Sequence, residues 1–300
     1  AARSRIAASW RRSFEHHGLD PTKRREKHVE TDGELRQRRQ KSEFLLRVAT
    51  ARLDHLFGLV GSSGCTVVLT DAEGFVLDQR SSNADARDFT DWGLLPGANW
   101  SEKDEGTNGI GTCLAEGRRV IVHRDQHFFP KNIAMSCIGA PIYGASGELI
   151  GVLDVSSARL DQTEGLNNLI AATVAETAKQ IETENFRASF SHERVVIAGD
   201  ALVDQSALVA VNSDDCIVGA TRAARKLFGW GCDGALKPVA ATDLFVEDAE
   251  MRGFNRAEKA AVVKALTRAG GNVSEAAKAL GIGRATLYRR MKRLGLNREV

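Results

Sequence analysis

The sequence predicts an α+β protein of several domains. Three observations carry that expectation. Residues 66–156 alternate short β-patterned runs with glycine turns, apolar stripes at helical spacing flank them, and the last fifty residues hold two short helical patterns joined by a glycine turn. Three hundred residues suit two or three domains, here expected as a basic helical segment (1–41), a sheet domain with a long closing helix (42–190), a small strand–helix module (191–247) and an all-α end (248–300).

In chain order, 3–18 and 33–60 are expected to be helical. The second carries Leu45, Leu46, Val48, Ala49, Leu53, Leu56 and Phe57 as an apolar stripe. The period then changes to two. TVVLT (66–70) is a strand, Asp-Ala-Glu-Gly (71–74) a turn and 75–79 the returning strand. An irregular, glycine-rich stretch (82–117) follows, then strands at 119–123, 135–143 and 149–156, the last two joined by a loop with Gly144 and Gly147. A long helix is expected from 162 to 190. Leu166, Ile170, Val174, Thr177 and Ile181 recur along it at three- and four-residue steps, which fits a two-helix coiled-coil seam, one amphipathic helix lying on its own sheet, or both along different stretches.

The end of the chain is the most specific part. In GGNVSEAAKALGIGRATLYRRMKRLGL (270–296), Asn272 is placed to cap a helix, with Glu275 spaced to complete a capping box. Gly281 ends that helix, Ile282 fills the angle, and a second helix restarts near Arg284. No Asp or Glu lies between Ala276 and Arg298, so the second helix is purely basic. That combination predicts a helix-turn-helix with its recognition helix in a DNA major groove. Thr286, Tyr288 and Arg289 are the expected base or groove-edge contacts, and Arg284, Arg290, Lys292 and Arg293 the phosphate contacts. A helix over 256–269, with Ala261, Val262, Ala265 and Leu266, is expected to pack in a dimer of this domain.

Charge agrees. Residues 252–300 net +9 and residues 1–41 net +6, so the total of +2 leaves −13 between them. A basic end attracts phosphate, while an acidic body keeps the rest of the protein off the duplex. The N-terminal basic run is either a second phosphate contact or a solvated helix face. Composition is that of a soluble globular protein, no run approaches eighteen apolar residues, and no signal-peptide core opens the chain. Cys65, Cys113, Cys137, Cys216 and Cys232 form no CxxC pair, which points to reduced thiols in the cytoplasm.

The C-terminal motif resembles the Fis-type helix-turn-helix that ends the NtrC-like bacterial enhancer-binding regulators. One departure is Gly283, where many relatives place Ser or Thr as the helix cap. IAASWRRS (6–13), VVLTDAEGFVL (67–77), WSEKDEGTNGIGTCL (100–114), HFF (127–129) and SCIGAPIYGASGELIGVLDVSS (136–157) resemble a GAF sensor domain. More narrowly, they resemble the sensor half of the acetoin and dihydroxyacetone catabolism regulators. Residues 206–245 resemble a truncated PAS module. Such regulators carry an ATPase module before the helix-turn-helix, and here no GxxxxGK[ST] occurs. The resemblance therefore implies a ligand-responsive, sequence-specific transcriptional regulator without ATPase activity, not a sigma-54 activator by itself. It is expected to be a nucleoid-associated homodimer that reads a palindromic double-stranded operator, with RNA polymerase as a further partner.

The effector pocket is expected in the excursion before the third strand and around the sheet. Trp100, Glu105, Asn108, Cys113, His127, Phe129 and Cys137 are its candidate residues, beside Trp92 and Phe128. GTNGIG is equally readable as a helix start whose glycines allow close packing. No catalytic residue, metal or cofactor is expected. Two other regulators stay open: a haem, metal or thiol redox sensor built on Cys113, Cys137, His123 and His127, and an architectural nucleoid-type DNA binder.

Overall fold

The computed structural model describes residues 4–23, 28–159, 163–199, 206–237, 239–241, 244 and 254–296. It divides by contacts into two units, one of residues 1–211 with 218–237 and one of residues 212–217 with 238–300. These units are coarser than the four segments expected, and the 247/248 boundary lies outside the described residues.

The first unit opens with α1 (Arg5–Arg11), capped by Ser4 and running on into a π-helical turn (Arg12–His16). Next come α2 (Asp32–Lys41) and α3 (Glu43–Val60). Thr31 and Glu34 close a capping box at the start of α2, which fixes its first turn. The strands are β1 (Cys65–Thr70), β2 (Val76–Arg80), β3 (Val120–His123), β4 (Ser136–Tyr143) and β5 (Leu149–Ser157). They form one antiparallel sheet in the order β2-β1-β5-β4-β3. Between β2 and β3 lie three short helices, α4 (Ala86–Asp91), α5 (Glu102–Glu105) and α6 (Gly109–Glu116). The long helix is α7 (Glu164–Ser189), and its expected first residue, 162, is outside the described set.

Successive side chains of a strand point to opposite faces, so β1, β4 and β5 feed two cores. On one face Val67, Leu69, Ile138, Leu153 and Val155 pack with Leu45, Ala49, Leu53 and Leu56 of α3 and Ile170, Val174 and Ile181 of α7. On the other, Val68, Cys137 and Val152 pack with Trp100, Ile110 and Cys113 of the excursion and with Met135, which precedes β4. Ile170, Val174, Thr177 and Ile181 are all covered within the chain, so this stretch of the stripe faces its own sheet, whereas Leu166 at its start is exposed.

After α7 come β6 (Arg194–Ile197) and β7 (Leu208–Val211), paired antiparallel, then β8 (Cys216–Ala220) and α8 (Arg222–Phe228). Tyr143 ties α8 to the sheet domain. Its hydroxyl donates to the carbonyl of Gly117 at the end of α6 (2.6 Å), its backbone N–H donates to Glu182 of α7 (2.9 Å), and the Arg222 guanidinium lies 4.2 Å from its ring centre.

The second unit contains β9 (Val239–Ala240), paired with Cys216–Ile217, and three helices: α9 (Phe254–Arg268), α10 (Val273–Ala279) and α11 (Arg284–Arg293). Asn272 caps α10 by accepting from the N–H groups of Ser274 (3.0 Å) and Glu275 (3.4 Å). Gly281 sits at φ +65°, a left-handed conformation that glycine adopts without strain, and turns the chain into α11. Among the described residues no helix is long and apolar enough to cross a membrane.

Candidate functional site

Two regions bring chemistry-bearing residues together. In the second unit, Leu287, Met291 and Leu294 recur at i, i+4 and i+7 and anchor α11 against Val262, Ala265, Leu266, Ala276 and Ala277, with Ile282 packed on the same cluster. The opposite face of α11 is therefore left to solvent. It presents Arg284, Ala285, Arg289 and Lys292 as exposed residues, with Tyr288 half-buried among them and the Arg284 guanidinium 5.6 Å from the tyrosine ring centre. Thr286 is half-buried on the flank.

Arg290 and Arg293 turn the other way. Both pair with Glu258 of α9, whose side chain is only 5% exposed, Arg290 at 3.2 Å. Two of the four expected phosphate-contacting side chains are thus engaged inside the domain, a role that only the packing of α9 beside α11 reveals. Glu258→Gln keeps the shape and removes the charge. It is expected to lower the stability of this unit by about 1–2 kcal/mol, discounted for the solvent exposure of both arginines. It is also expected to steepen the salt dependence of DNA binding by up to about two phosphate contacts. Salt titrations of wild type and variant on one duplex check this.

In the first unit, the excursion candidates are mostly used internally. Trp100 is buried and its indole N–H donates to the Gly93 carbonyl (3.0 Å). Asn108 caps α6 by accepting from Gly111 N–H (2.9 Å), and its amide donates to the carbonyls of Trp100 and Gly106. GTNGIG is thus a helix start, and a side chain at Gly111 would meet backbone of Trp100 and Glu102 within 2.7 Å. Glu105 is buried with Lys131 at 2.9 Å and Asn132 at 3.2 Å. Phe129 packs with Phe128, Leu19 and Trp10. Cys113, on α6, is buried against the sheet, which pushes its thiol well above the ordinary range and leaves it unreactive as a thiolate.

His127 and Cys137 do come together, and with two residues that the sequence did not single out. The Nδ1 of His127 lies 2.9 Å from the Arg124 carbonyl, so it carries the proton and Nε2 is the acceptor. Nε2 is 3.3 Å from Cys137 Sγ, which is 3.1 Å from Ser156 Oγ, which is 2.6 Å from Asp154 Oδ2. All four side chains are buried. Burial pulls His127 down to about 4 and pushes Asp154 up to about 6, because neither charged form has compensating solvation.

The two shifts act oppositely on stability. Asp154, raised above its ordinary value, favours the folded state at low pH and loses that contribution as pH rises through about 6. His127, lowered, favours the folded state above its ordinary value of 6.5 and loses that contribution as pH falls through about 4. Between these limits they oppose each other. Asp154→Asn removes only the first, so the variant is expected to melt above wild type at pH 7.5 and to lose that advantage by pH 4. Thermal melts at the two pH values check it.

His123 lies elsewhere, 2.6 Å from Ser136 Oγ. All five cysteines are free, and among the described residues no three His, Cys, Asp or Glu side chains gather as a metal site. A cavity of about 430 Å³ contains none of the excursion candidates; it is lined by Arg38, Lys41, Phe44, Asp71, Glu148 and Asn185 among others.

The N-terminal helix is part of this region. The Ser9 hydroxyl sits within 2.5 Å of Glu102 Oε1, 2.8 Å of Thr107 Oγ1 and 2.9 Å of Thr112 Oγ1. Arg12 makes a two-point contact with Glu102 (2.8 and 2.9 Å) and reaches Glu116 (2.7 Å). Trp10 donates to the Gln126 carbonyl at 2.7 Å and its ring lies 4.9 Å from Phe128. These residues of the N-terminal basic segment grip the excursion, which neither expectation for that segment had foreseen. Residues 24–27, the densest basic run, lie outside the described residues.

Comparison with known proteins agrees with this architecture. Residues 45–184 match the GAF domain family and residues 254–294 match the bacterial regulatory protein, Fis family. The chain is 30% identical over 277 residues to the acetoin catabolism regulatory protein of Cupriavidus necator, covering 89% of this chain and 41% of that protein. It is 30% identical over 154 residues to the acetoin dehydrogenase operon transcriptional activator AcoR of Bacillus subtilis, covering 51% of this chain and 25% of that one. The matches thus span less than half the length of these relatives. The crystal structure of the E. coli DhaR(N)-DhaL complex is similar in fold, with a TM-score of 0.56, 15% identity and 80% of each chain covered.

Proposed function

For a chain that carries a GAF domain and a Fis-type helix-turn-helix, we propose the role of a ligand-responsive, sequence-specific DNA-binding transcriptional regulator that works as a homodimer without ATPase activity. The observation that carries this reading is the exposed basic face of α11, where Arg284, Arg289 and Lys292 make no ion pair among the described residues while Arg290 and Arg293 brace the helix. A helix held on its apolar side and basic on the other fits a major groove. In a dimer, two such helices about 34 Å apart read a palindrome.

The effector side of the proposal rests on the GAF domain and on the relatives, whose names tie two of them to acetoin, a small hydroxyketone. Tyr143 supplies a physical route for the response, since it joins the end of α6 to α7 and α8. An effector that binds one arrangement of these elements better than another shifts their populations. No GxxxxGK[ST] lies in the sequence, so the regulator acts by occupying its operator or by contact with RNA polymerase and not by ATP-driven remodelling.

Selection of fragments from sheared genomic DNA by the purified protein tests this reading. Recovery of a shared palindrome, with half-sites about one helical turn apart, supports it. Recovery of fragments with no common sequence at ordinary salt contradicts it.

A further inference from the structure

The cavity of about 430 Å³ lies on the α3 and α7 side of the sheet, where Leu45 and Ile150 belong both to it and to that core, and it shares no residue with the excursion. Its volume falls in the range of about 300–1,000 Å³ usual for small-molecule sites. The walls come from the junction of α2 and α3, the turn after β1, the β4–β5 hairpin and the C-terminal end of α7.

One wall residue is a polar group without a partner. Asn185 of α7 is only 5% exposed, and its side-chain amide makes no hydrogen bond among the described residues; the Ser189 hydroxyl bonds to its backbone carbonyl instead. The amide is not sealed in, as Asp154 Oδ1 is, so it opens on the cavity that Asn185 lines. A buried amide is costly unless its donor and acceptor are met, and here the cavity is the direction from which a partner can come.

Charge defines the kind of partner. Arg38 is engaged within the chain by Glu30 at 2.6 Å, Asp71 at 2.9 Å and Glu73 at 3.1 Å. Lys41 and Glu148 are exposed on the same cavity and make no ion pair among the described residues. Glu148 Oε2 accepts the Ser146 N–H at 3.0 Å, within its own hairpin. Ser42 stands at the N-cap of α3 and its hydroxyl makes no capping bond. A cation and an anion on one cavity suit a ligand that carries both charges, since a ligand of one sign meets repulsion from Lys41 or from Glu148. Beside these groups Phe44, Leu149 and Ile150 are half-buried, so an aliphatic group laid on them removes water from both surfaces.

We propose that this cavity is a ligand site for a free α-amino acid with an aliphatic side chain. The carboxylate meets Lys41 and the Ser42 hydroxyl at the start of α3, where the helix dipole favours negative charge. The ammonium meets Glu148, Asn185 supplies a donor to the one and an acceptor to the other, and the side chain rests on Phe44, Leu149 and Ile150. The site is separate from the effector reading given above and does not depend on it.

Calorimetric titration of the full chain with four probes tests the proposal: L-leucine, glycine, N-acetyl-L-leucine and L-leucine methyl ester. L-Leucine is expected to bind. Glycine lacks the apolar contact and is expected to bind at least about tenfold more weakly. The acetyl compound has no ammonium and the ester no carboxylate, and each is expected to lose about tenfold or more. Asn185→Leu has similar volume and breaks no side-chain hydrogen bond inside the protein. It is expected to melt no lower than wild type while binding L-leucine at least about tenfold more weakly. In Glu148→Gln the gap between L-leucine and N-acetyl-L-leucine is expected to close, because only the first brings an ammonium.

Absence of binding by L-leucine overturns the proposal. So does binding of glycine or of either blocked compound as tight as that of L-leucine, or undiminished affinity for L-leucine in Glu148→Gln or in a folded Asn185→Leu protein. Should Asn185→Leu not fold, the four probes on wild type and Glu148→Gln, a change at an exposed residue, still decide.

Discussion

Replacement of Arg289 by alanine is expected to weaken operator binding by about 5- to 150-fold, the range for losing one two-point contact to a guanine edge of about 1–3 kcal/mol. Arg289 lies on the exposed face of α11 and forms no ion pair among the described residues, in contrast to Arg290 and Arg293 on Glu258. Its removal therefore leaves the helix packed, because Leu287, Met291 and Leu294 hold it. Specificity should relax at the base pair it reads, whereas loss of Lys292 should weaken all duplexes alike and flatten the salt dependence by about one contact. Mobility-shift assays on the operator and on single-base variants separate the two effects. Full operator affinity in a folded Arg289→Ala protein would remove α11 from the groove.

Arg12→Ala is the second large effect, and it concerns stability. Its guanidinium bridges Glu102 and Glu116, and Glu102 is almost completely buried. Removal of one partner of a buried pair strands the other, at a cost near the lower end of 3–5 kcal/mol because Arg12 itself is partly exposed; about 2–3 kcal/mol is expected. The Ser9 hydroxyl still contacts Glu102, Thr107 and Thr112, so the N-terminal helix is weakened at one end of its grip on the excursion and not released outright. Urea unfolding gives the energy. Limited proteolysis locates it, with new cleavage expected between residues 5 and 19 ahead of any cut in the sheet. Unchanged urea stability with an unchanged digest would show that the grip contributes nothing.

How much of this was legible in the sequence depends on the range of the interaction. β1, β4 and β5 announced themselves because a strand buried on both faces reads as a run of apolar and small residues between glycine turns. The helix-turn-helix was legible because Asn272, Gly281 and the purely basic run of the second helix are local signals. The glycines of GTNGIG fitted a packed helix start, and the structure explains them by the approach of α6 to Trp100, Glu102 and Asp154. Asp154 itself was hidden inside LIGVLDVSS, where one polar residue in an apolar run carries no sign of which face it takes. Ser9 and Arg12 find Glu102 across some ninety residues, and Glu258 finds Arg290 and Arg293 across two turns. No local period encodes such pairs. The stripe on α7 was ambiguous for the same reason, since a coiled-coil seam and a sheet-facing stripe share their spacing and only the sheet's position distinguishes them.

In the first unit α6 rests on the buried carboxyl of Asp154 at one end and is tied to Tyr143 at the other, and in the second unit α11 is the helix proposed to read DNA. The most direct test is the dissociation constant for the selected operator, measured by fluorescence anisotropy with and without saturating 3-hydroxybutan-2-one. A change of at least about fivefold is expected, the low end of an ordinary coupling energy. The same dissociation constant in wild type at every concentration of the compound would contradict it.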